Sequence, residues 1–349
     1  MTIEARGGIG NVMHNERLTG MAMGYARSRV LCAAARLGVA DALGGDERTV
    51  DQLASLCQAD RSSLYRLLRA LASFGVVAET QPARFVLTPF GEPLRKDVPN
   101  SEWAGIVFWA DLLADSWSRL TECIRTGVNA ASIAQREGIA TRWSKAPDAG
   151  EIFRAVMGTA PAENYMRIAR AWDFSAYHVA ADLGGGGGAL ISAVLTAYPH
   201  LHGMLVDRPD SIERAISRFE AEGLSARCKL LAADLCAAIP AGADVYMMKH
   251  MLHGYGDEAA IGILRNCRSV LPAEGHLLVI EFVLPDVVDH VDLDLEYRLM
   301  SDLNMLAVTG GKERSAIEWK ALLKSSGFDC RGIFPVSEEL VSIIEAAAA

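Results

Sequence analysis

Residues 179–194 read VAADLGGGGGALISAV and place five consecutive glycines, Gly184 to Gly188, between two apolar runs. The run before the glycines is typical of a buried strand, and the run after them is typical of a helix. Ordering five glycines carries a large entropic cost. Glycines in the first strand-to-helix turn of a doubly wound sheet let the backbone approach a bound ligand. The stretch therefore predicts an α/β fold with a ligand at the strand ends.

Short apolar runs alternate with helical segments from about residue 176 onward. The runs are HVAADLG, LHGMLVD, CKLLAAD, ADVYMMK and GHLLVIEFVL. Such a βαβ succession predicts a parallel sheet with helices on both faces. FDCRGIFPV and LVSIIEA, further along the chain, predict a terminal hairpin. We therefore predict a Rossmann-like, doubly wound domain over residues 171–349.

The first hundred residues predict a mostly helical winged helix-turn-helix. RSRVLCAAARLGVADAL has helical spacing, and FGVVAE and RFVLTP alternate like a hairpin. Thr49 is a plausible cap of one further helix, and Asp60 or Ser62 of a second. The segment 1–100 holds 12 Lys and Arg residues against 10 Asp and Glu residues, a net charge of only +2. DNA binding needs a stronger basic footprint, so we expect a dimerisation module.

Composition sets limits on the partners of the chain. Its 349 residues carry a net charge of −9, whereas a nucleic-acid-binding protein needs a basic face for phosphate. The seven cysteines are scattered and include no CxxC pair, which indicates free thiols in a reducing compartment. The opening stretch MTIEARGGIGNVMHNERL lacks a signal-peptide core, and no uncharged apolar run reaches the ~18 residues of a membrane span. We expect a cytoplasmic protein without nucleic-acid or membrane partners.

The glycine turn alone does not identify the cofactor. Gly184, Gly186 and Ala189 satisfy the dinucleotide pattern G-x-G-x-x-G/A. Asp207, at the end of the second predicted strand, is placed to accept hydrogen bonds from a ribose. NAD is therefore a candidate on these residues.

Three further features favour S-adenosylmethionine over NAD. Asp182 lies two residues before the glycines, where a carboxylate disfavours a pyrophosphate but suits the cationic amine of a methionine. Asp234 ends the third predicted strand in LLAADL, where an acid can accept a hydrogen bond from an adenine amino group. The predicted terminal hairpin is the third feature.

Several motifs together carry a resemblance to a known family. They are DLGGGGGAL, VDRPDSI, AADLCAAIPAGADVYMMKHMLHGYGDEAAIGILRNC and GGKERSAIEWKALLKSSGF. In order and spacing they resemble the cation-independent class I O-methyltransferases of the plant caffeate/flavonoid type and their bacterial natural-product relatives. The resemblance covers nearly the whole chain. It implies a homodimer with a winged-helix dimerisation domain (1–100), a helical linker and substrate-pocket region (101–170), and a domain that binds S-adenosylmethionine (171–349).

The resemblance also implies roles for individual residues. His253, in MLHGYGDE, matches the general base, and Glu281 and Glu313 match the acids that flank it. Cofactor contacts are implied for Asp182, Gly184, Gly186, Gly188, Asp207, Arg208, Asp234, Leu235 and Lys249. An acceptor pocket is implied for Phe153, Met157, Asn304 and Met305.

This residue set suits methyl transfer to a hydroxyl of a small aromatic natural product. A sulfonium methyl is already activated, so the acceptor oxygen must lose its proton and align with the methyl group. A phenol has a pKa near ~10, and a neutral histidine can take its proton during attack. A neighbouring carboxylate fixes the tautomer and stabilises the imidazolium. The reaction needs no metal, and we expect none.

Two positions depart from the family pattern and keep other functions open. Gly254 and Tyr255 follow His253 where the family usually has Asp and Trp, and Gly187 stands where relatives commonly carry Arg or Lys. One alternative keeps the fold and cofactor but performs pericyclic, hydroxylating or decarboxylating chemistry. A second alternative is a winged-helix transcription regulator.

Overall fold

The computed structural model describes residues 18–158, 161–290 and 292–349. The chain divides into two units. The first comprises residues 1–115 and 140–157, and the second comprises residues 116–139 and 158–349. The segment 101–170 is thus shared between the units, and the three functional segments expected from the sequence stay a prediction.

The first unit begins with the expected helices and hairpin. Its helices span Gly24–Leu37, Val39–Leu43, Val50–Leu56 and Arg61–Ser73, and its strands are β1 (Arg48–Thr49), β2 (Val77–Gln81) and β3 (Arg84–Leu87). The strands form an antiparallel sheet in the order β1-β3-β2. Gly38 separates the first two helices, because its φ of +68° is left-handed.

Side-chain caps explain where the next two helices begin. Thr49 forms a capping box with Gln52, as expected. Asp60, rather than Ser62, caps the following helix by accepting a hydrogen bond from the Ser63 backbone N–H. Leu64, Leu68 and Leu71 of that helix are buried at four- and three-residue spacing.

Short helices follow through the middle of the chain. They span Glu92–Leu94, Trp103–Val107, Phe108–Leu112, Ala114–Ser118, Leu120–Thr126, Ala130–Arg136, Arg142–Lys145, Ala149–Gly158 and Ala162–Arg170. Phe108–Leu112 is a π-helical turn. Asn129 and Thr141 cap the helices at Ala130 and Arg142 through their side chains.

The second unit contains the predicted doubly wound sheet. Its strands are β4 (Val179–Leu183), β5 (His202–Asp207), β6 (Cys228–Ala232), β7 (Val245–Lys249), β8 (His276–Leu284), β9 (Arg314–Ser315), β10 (Phe328–Pro335) and β11 (Val341–Ala348). The strand order is β10-β11-β8-β7-β4-β5-β6, with β9 paired to β8. Strands β8, β7, β4, β5 and β6 run parallel, and the β10–β11 hairpin is antiparallel, as predicted. The helices of this unit include Ala189–Ala197, Pro209–Ala221, Leu252–Gly254, Asp257–Val270, Leu293–Val308 and Ala316–Ser325.

Both faces of this sheet are buried. Alternate residues of one strand enter different core clusters: Leu205 packs with Phe219 in one, whereas Val206 belongs to the other, which includes Trp319. Strands covered on both faces read as continuous apolar runs, which is why these strands were recognisable in the sequence. Polar side chains therefore concentrate where the strands end.

Two properties of the described residues concern the environment of the chain. No helix within residues 18–158, 161–290 or 292–349 combines the length and apolar character needed to cross a bilayer. All seven cysteines are free, and Cys236 is the exposed one among them.

Candidate active site

The glycine turn follows β4 directly. Gly184, Gly186 and Gly188 have φ values of +71°, +58° and +77°, a region that L side chains rarely adopt. A Cβ at Gly185 would overlap the Asp182 carboxylate, so this glycine is required by a close approach. A Cβ at Gly187 would meet nothing within 4 Å. Packing therefore does not require glycine at position 187.

Asp182 is a buried carboxylate beneath this turn. Its side chain is fully buried, and neither carboxylate oxygen has a hydrogen-bond partner among the described residues. Burial raises the pKa of Asp182 to about 7 and outweighs the opposing effects of the Ile191 backbone N–H and of Lys249. An unpartnered buried acid is costly unless a cation reaches it. The site therefore fits the amine of a methionine.

Asp207 lies at the end of β5, next to β4 in the sheet. Its Oδ2 accepts a hydrogen bond from the Gly186 N–H at 2.7 Å, and its Oδ1 accepts one from the Arg208 N–H at 2.6 Å. Each oxygen keeps lone pairs for the two hydroxyls of a ribose. The Arg208 side chain is 74% exposed and lies 3.9 Å from Asp210.

The sequence prediction for Asp234 needs a correction. Strand β6 ends at Ala232, so Asp234 lies in the turn beyond the strand. Its Oδ1 accepts a hydrogen bond from the Cys236 N–H at 2.9 Å, which stabilises a turn in place of further strand pairing. The neighbouring Leu235 carbonyl accepts a hydrogen bond from Asn266. Asp182, Asp207 and Asp234 nevertheless come from three adjacent strands at the same sheet edge.

Lys249 ends β7, on the other side of β4. Its Nζ lies 5.3 Å from the centre of the Tyr165 ring. Burial lowers the pKa of Lys249, while Glu281 and Asp182 act in the opposite direction. The lysine is therefore within electrostatic reach of both Asp182 and Glu281.

His253 forms that second centre in the short turn after β7. Its Nδ1 lies 2.8 Å from Glu313 Oε1 and 3.6 Å from Glu281 Oε2. Glu281 Oε1 accepts hydrogen bonds from the backbone N–H groups of Met251 and His253, at 2.9 and 3.3 Å. The Lys312 N–H donates to the His253 carbonyl at 2.9 Å. The backbone and ring of His253 are thus both held by hydrogen bonds, whereas its role as the base stays a prediction.

The two acids make His253 an unusually strong base. Burial alone would lower the pKa of His253, but Glu281 and Glu313 outweigh it and raise the pKa to about 9. Burial alone would raise the pKa of Glu281, but His253 and His250 outweigh it and lower the pKa to about 2. Because Nδ1 contacts Glu313, Nε2 is the nitrogen whose lone pair accepts a proton when the ring is neutral.

His250 and Ser301 are neighbours of this centre that the sequence analysis missed. His250 Nδ1 lies 3.4 Å from Glu281 Oε2, and the rings of His250 and His253 are 5.3 Å apart between centroids. Ser301 Oγ donates a hydrogen bond to Glu313 Oε1 at 2.8 Å. The spacing of the two histidines in KHMLH was the available signal for His250.

The residues implied for the acceptor belong to both units. Phe153, in the first unit, packs against Trp143 with ring centroids 5.7 Å apart, and Met157 of the same unit is exposed. Asn304, in the second unit, is buried with no partner on Oδ1 among the described residues, and Met305 follows it on the same helix. A common pocket for these four residues stays a prediction.

The fold and the acidic strand ends define a Rossmann-like methyltransferase that uses S-adenosylmethionine. Sequence profiles agree: the O-methyltransferase domain matches residues 117–329, and the O-methyltransferase dimerisation domain matches residues 20–97. The chain belongs to this O-methyltransferase family.

Individual relatives cover almost the entire chain. It is 35% identical to the O-demethylpuromycin-O-methyltransferase of Streptomyces alboniger, over 95% of this chain and 89% of that protein. It is 32% identical to the phenazine O-methyltransferase of Lysobacter antibioticus, over 93% of this chain and 94% of that protein.

Solved structures of O-methyltransferases are also similar to this chain over nearly its whole length. The structure of the mitomycin 7-O-methyltransferase has a TM-score of 0.88 and 32% identity, covering 98% of this chain and 100% of that one. An O-methyltransferase from neocarzinostatin biosynthesis, crystallised with S-adenosylmethionine and 2-hydroxy-5-methyl naphthoic acid, has a TM-score of 0.79 and 32% identity, covering 93% of this chain and 96% of that one.

Proposed function

We propose that this enzyme methylates a hydroxyl of a small aromatic natural product, with His253 as the general base. The observation that carries the proposal is the 2.8 Å contact between His253 Nδ1 and Glu313, which leaves Nε2 as the basic atom. The naphthoic acid bound in the neocarzinostatin relative, and the name of the puromycin relative, support an aromatic acceptor.

The cofactor would be held by the acidic strand ends. Asp182 would pair with the methionine amine, Asp207 would accept from the ribose hydroxyls, and Asp234 would accept from the adenine amino group. The glycine turn, with Arg208, Leu235 and Lys249 beside the same edge, completes this set. When bound, S-adenosylmethionine supplies an activated methyl group on a positively charged sulfur.

The raised pKa of His253 matches the acidity of the acceptor. Phenols titrate near ~10, and the two acids raise the pKa of His253 to about 9, so the neutral ring is well matched to the acceptor proton. An unperturbed histidine, near ~6.5, would be a weaker base. Glu313 holds the tautomer, and Glu281 stabilises the imidazolium that forms.

Methyl transfer can be tested directly with His253→Ala. Incubation with hydroxylated aromatic acceptors should yield a product heavier by one CH₂, together with S-adenosylhomocysteine, by mass spectrometry. His253→Ala should lower turnover by ~10²–10⁴, and calorimetry should show nearly unchanged cofactor affinity. His202→Ala, at an exposed histidine, is the matched control. An isomerised or decarboxylated product with intact cofactor would favour the non-methylating alternative.

We also propose that the protein works as a homodimer through residues 20–97. The dimerisation-domain match and a set of exposed apolar side chains in the first unit support this. They are Met21, Met23, Tyr25, Leu56 and Phe90. The cytoplasmic location expected from the scattered thiols stays a prediction.

A further inference from the structure

The parallel register of β7 and β8 brings two histidines to one carboxylate. Lys249 pairs with Ile280 in this register, so His250 and Glu281 are the residues that come next on the two strands. His250 has a left-handed backbone with φ of +47°, and its ring meets Phe282 edge-on at 4.9 Å. His253, three residues further on, reaches the same carboxylate from the following turn.

Two atoms of this cluster are left without partners. His250 Nδ1 and Glu281 Oε2 are both buried, and neither has a hydrogen-bond partner within the described part of the chain. They face each other at 3.4 Å. Buried polar atoms are seldom left unsatisfied in folded proteins, and each one calls for an explanation. Methyl transfer as proposed above does not use His250 Nδ1.

The ligand atoms lie close enough together for one metal ion to reach all three residues. One ligand atom from each of His250, His253 and Glu281 lies within 4.8 Å of the others. His250 Nδ1 and His253 Nδ1 lie 3.4 and 3.6 Å from Glu281 Oε2. Ligands at about 2.0–2.2 Å from a tetrahedral Zn²⁺ stand roughly 3.3 Å apart. Two imidazoles and one carboxylate are a ligand set that Zn²⁺, Co²⁺ and Ni²⁺ accept readily.

We propose that His250, His253 and Glu281 form an inhibitory binding site for Zn²⁺ or a similar divalent transition metal. Glu281 and the adjacent Glu313 supply negative charge for the ion. This site is distinct from a catalytic metal site, because the proposed reaction proceeds without a metal. Its inhibitory effect rests on the proposed role of His253 as the base.

Metal binding would remove the base by changing its tautomer. An ion at Nδ1 of His253 takes the lone pair of that nitrogen and replaces the hydrogen bond to Glu313. The single proton of the neutral ring then resides on Nε2, so Nε2 has no lone pair for the acceptor proton. The inhibited enzyme should still bind the cofactor, because Asp182, Asp207 and Asp234 are not ligands of this site.

The experiment uses the full-length enzyme, stripped of metal with EDTA, in a Cys236→Ser background that removes the exposed thiol. Co²⁺ is titrated first, because tetrahedral Co²⁺ has a strong visible absorption, and Zn²⁺ is then used to displace it. We expect one ion per subunit and a loss of turnover that EDTA reverses. His250→Gln should weaken metal binding by about 10²-fold, so that its turnover, compared with the same variant in EDTA, is much less sensitive to added ion. His290→Gln, at an exposed histidine beside Asp289 and Asp292, is the matched control.

The possible outcomes separate this proposal from the proposed function. Equal metal affinity of His250→Gln and the parent would overturn the site, as would an octahedral Co²⁺ spectrum. Metal binding that disappears in His250→Gln and His253→Ala, with turnover of the parent unaffected by bound ion, would confirm the site and overturn the inhibition. Near-full turnover of His253→Ala in EDTA would overturn the base assignment and the inhibition that rests on it, while the metal site itself would stand or fall with the binding measurements.

Discussion

At the residue scale, His253 owes its properties to two acids that reach it from different elements. Glu281 lies on β8 and Glu313 directly precedes β9, and both are almost fully buried. The chemistry requires the neutral ring, since the imidazolium cannot accept a proton. Activity should therefore depend on how strongly these acids hold the proton on His253.

The pH dependence of activity should show how the two acids set the pKa of His253. Because the pKa of His253 is about 9, kcat/KM of the wild type should rise with pH through roughly that value. Glu313→Gln removes one of the charges that raise the pKa, so its rising limb should move to lower pH while kcat falls. Glu220→Gln, an exposed carboxylate, should leave the profile in place. A limb that does not move in Glu313→Gln would contradict the assignment.

The raised pKa of Asp182 predicts that cofactor binding releases a proton. Below its pKa of about 7 the free enzyme holds a proton on this carboxyl, and a bound cation favours the ionised form. Binding of S-adenosylhomocysteine should release about one proton at pH 6 and few at pH 8. Affinity should rise with pH up to about 7 and then level off. Calorimetry in buffers of different ionisation enthalpy measures this, and Asp182→Asn should abolish the release; equal release from both proteins would refute the role.

At the element scale, the glycine turn contains one position where packing requires glycine and one where it does not. A methyl group at Gly185 would overlap Asp182, whereas one at Gly187 meets open space. Gly185→Ala should therefore weaken binding of S-adenosylmethionine by at least ~10-fold and lower the melting temperature. Gly187→Ala is the matched control and should change neither quantity. Similar behaviour of the two variants in calorimetry and thermal melting would argue against this account of the turn.

The helices and strands were easier to predict from the sequence than the contacts between them. Strands β4 to β8 follow from apolar runs, because both faces of the sheet are buried. Strand β6 ends before Asp234, since side-chain turn chemistry competes with strand pairing there. His250 was missed because its approach to Glu281 depends on the β7–β8 register, which local patterns do not encode. The base and its acids were predicted only through the family resemblance.

At the scale of the whole molecule, the dimerisation domain predicts a stable dimer. Light scattering at micromolar concentration should give twice the mass of the 37.5 kDa chain. Met21→Glu combined with Tyr25→Glu places charges on exposed apolar positions of the first unit and should shift the protein towards monomer. Ile216→Glu, at an exposed position of the second unit, should remain dimeric. A wild-type monomer under these conditions would be incompatible with the proposal.

The position of β11 has a consequence for biosynthesis. This strand lies inside the sheet, between β10 and β8, and pairs Ser342 with Glu281. A ribosome releases Glu281 well before it releases β11, and domains fold as their segments emerge. During that interval one edge of β8 is unpaired and able to recruit a strand from another nascent chain. Translation that stalls before Val341 should therefore leave a chain dependent on chaperones.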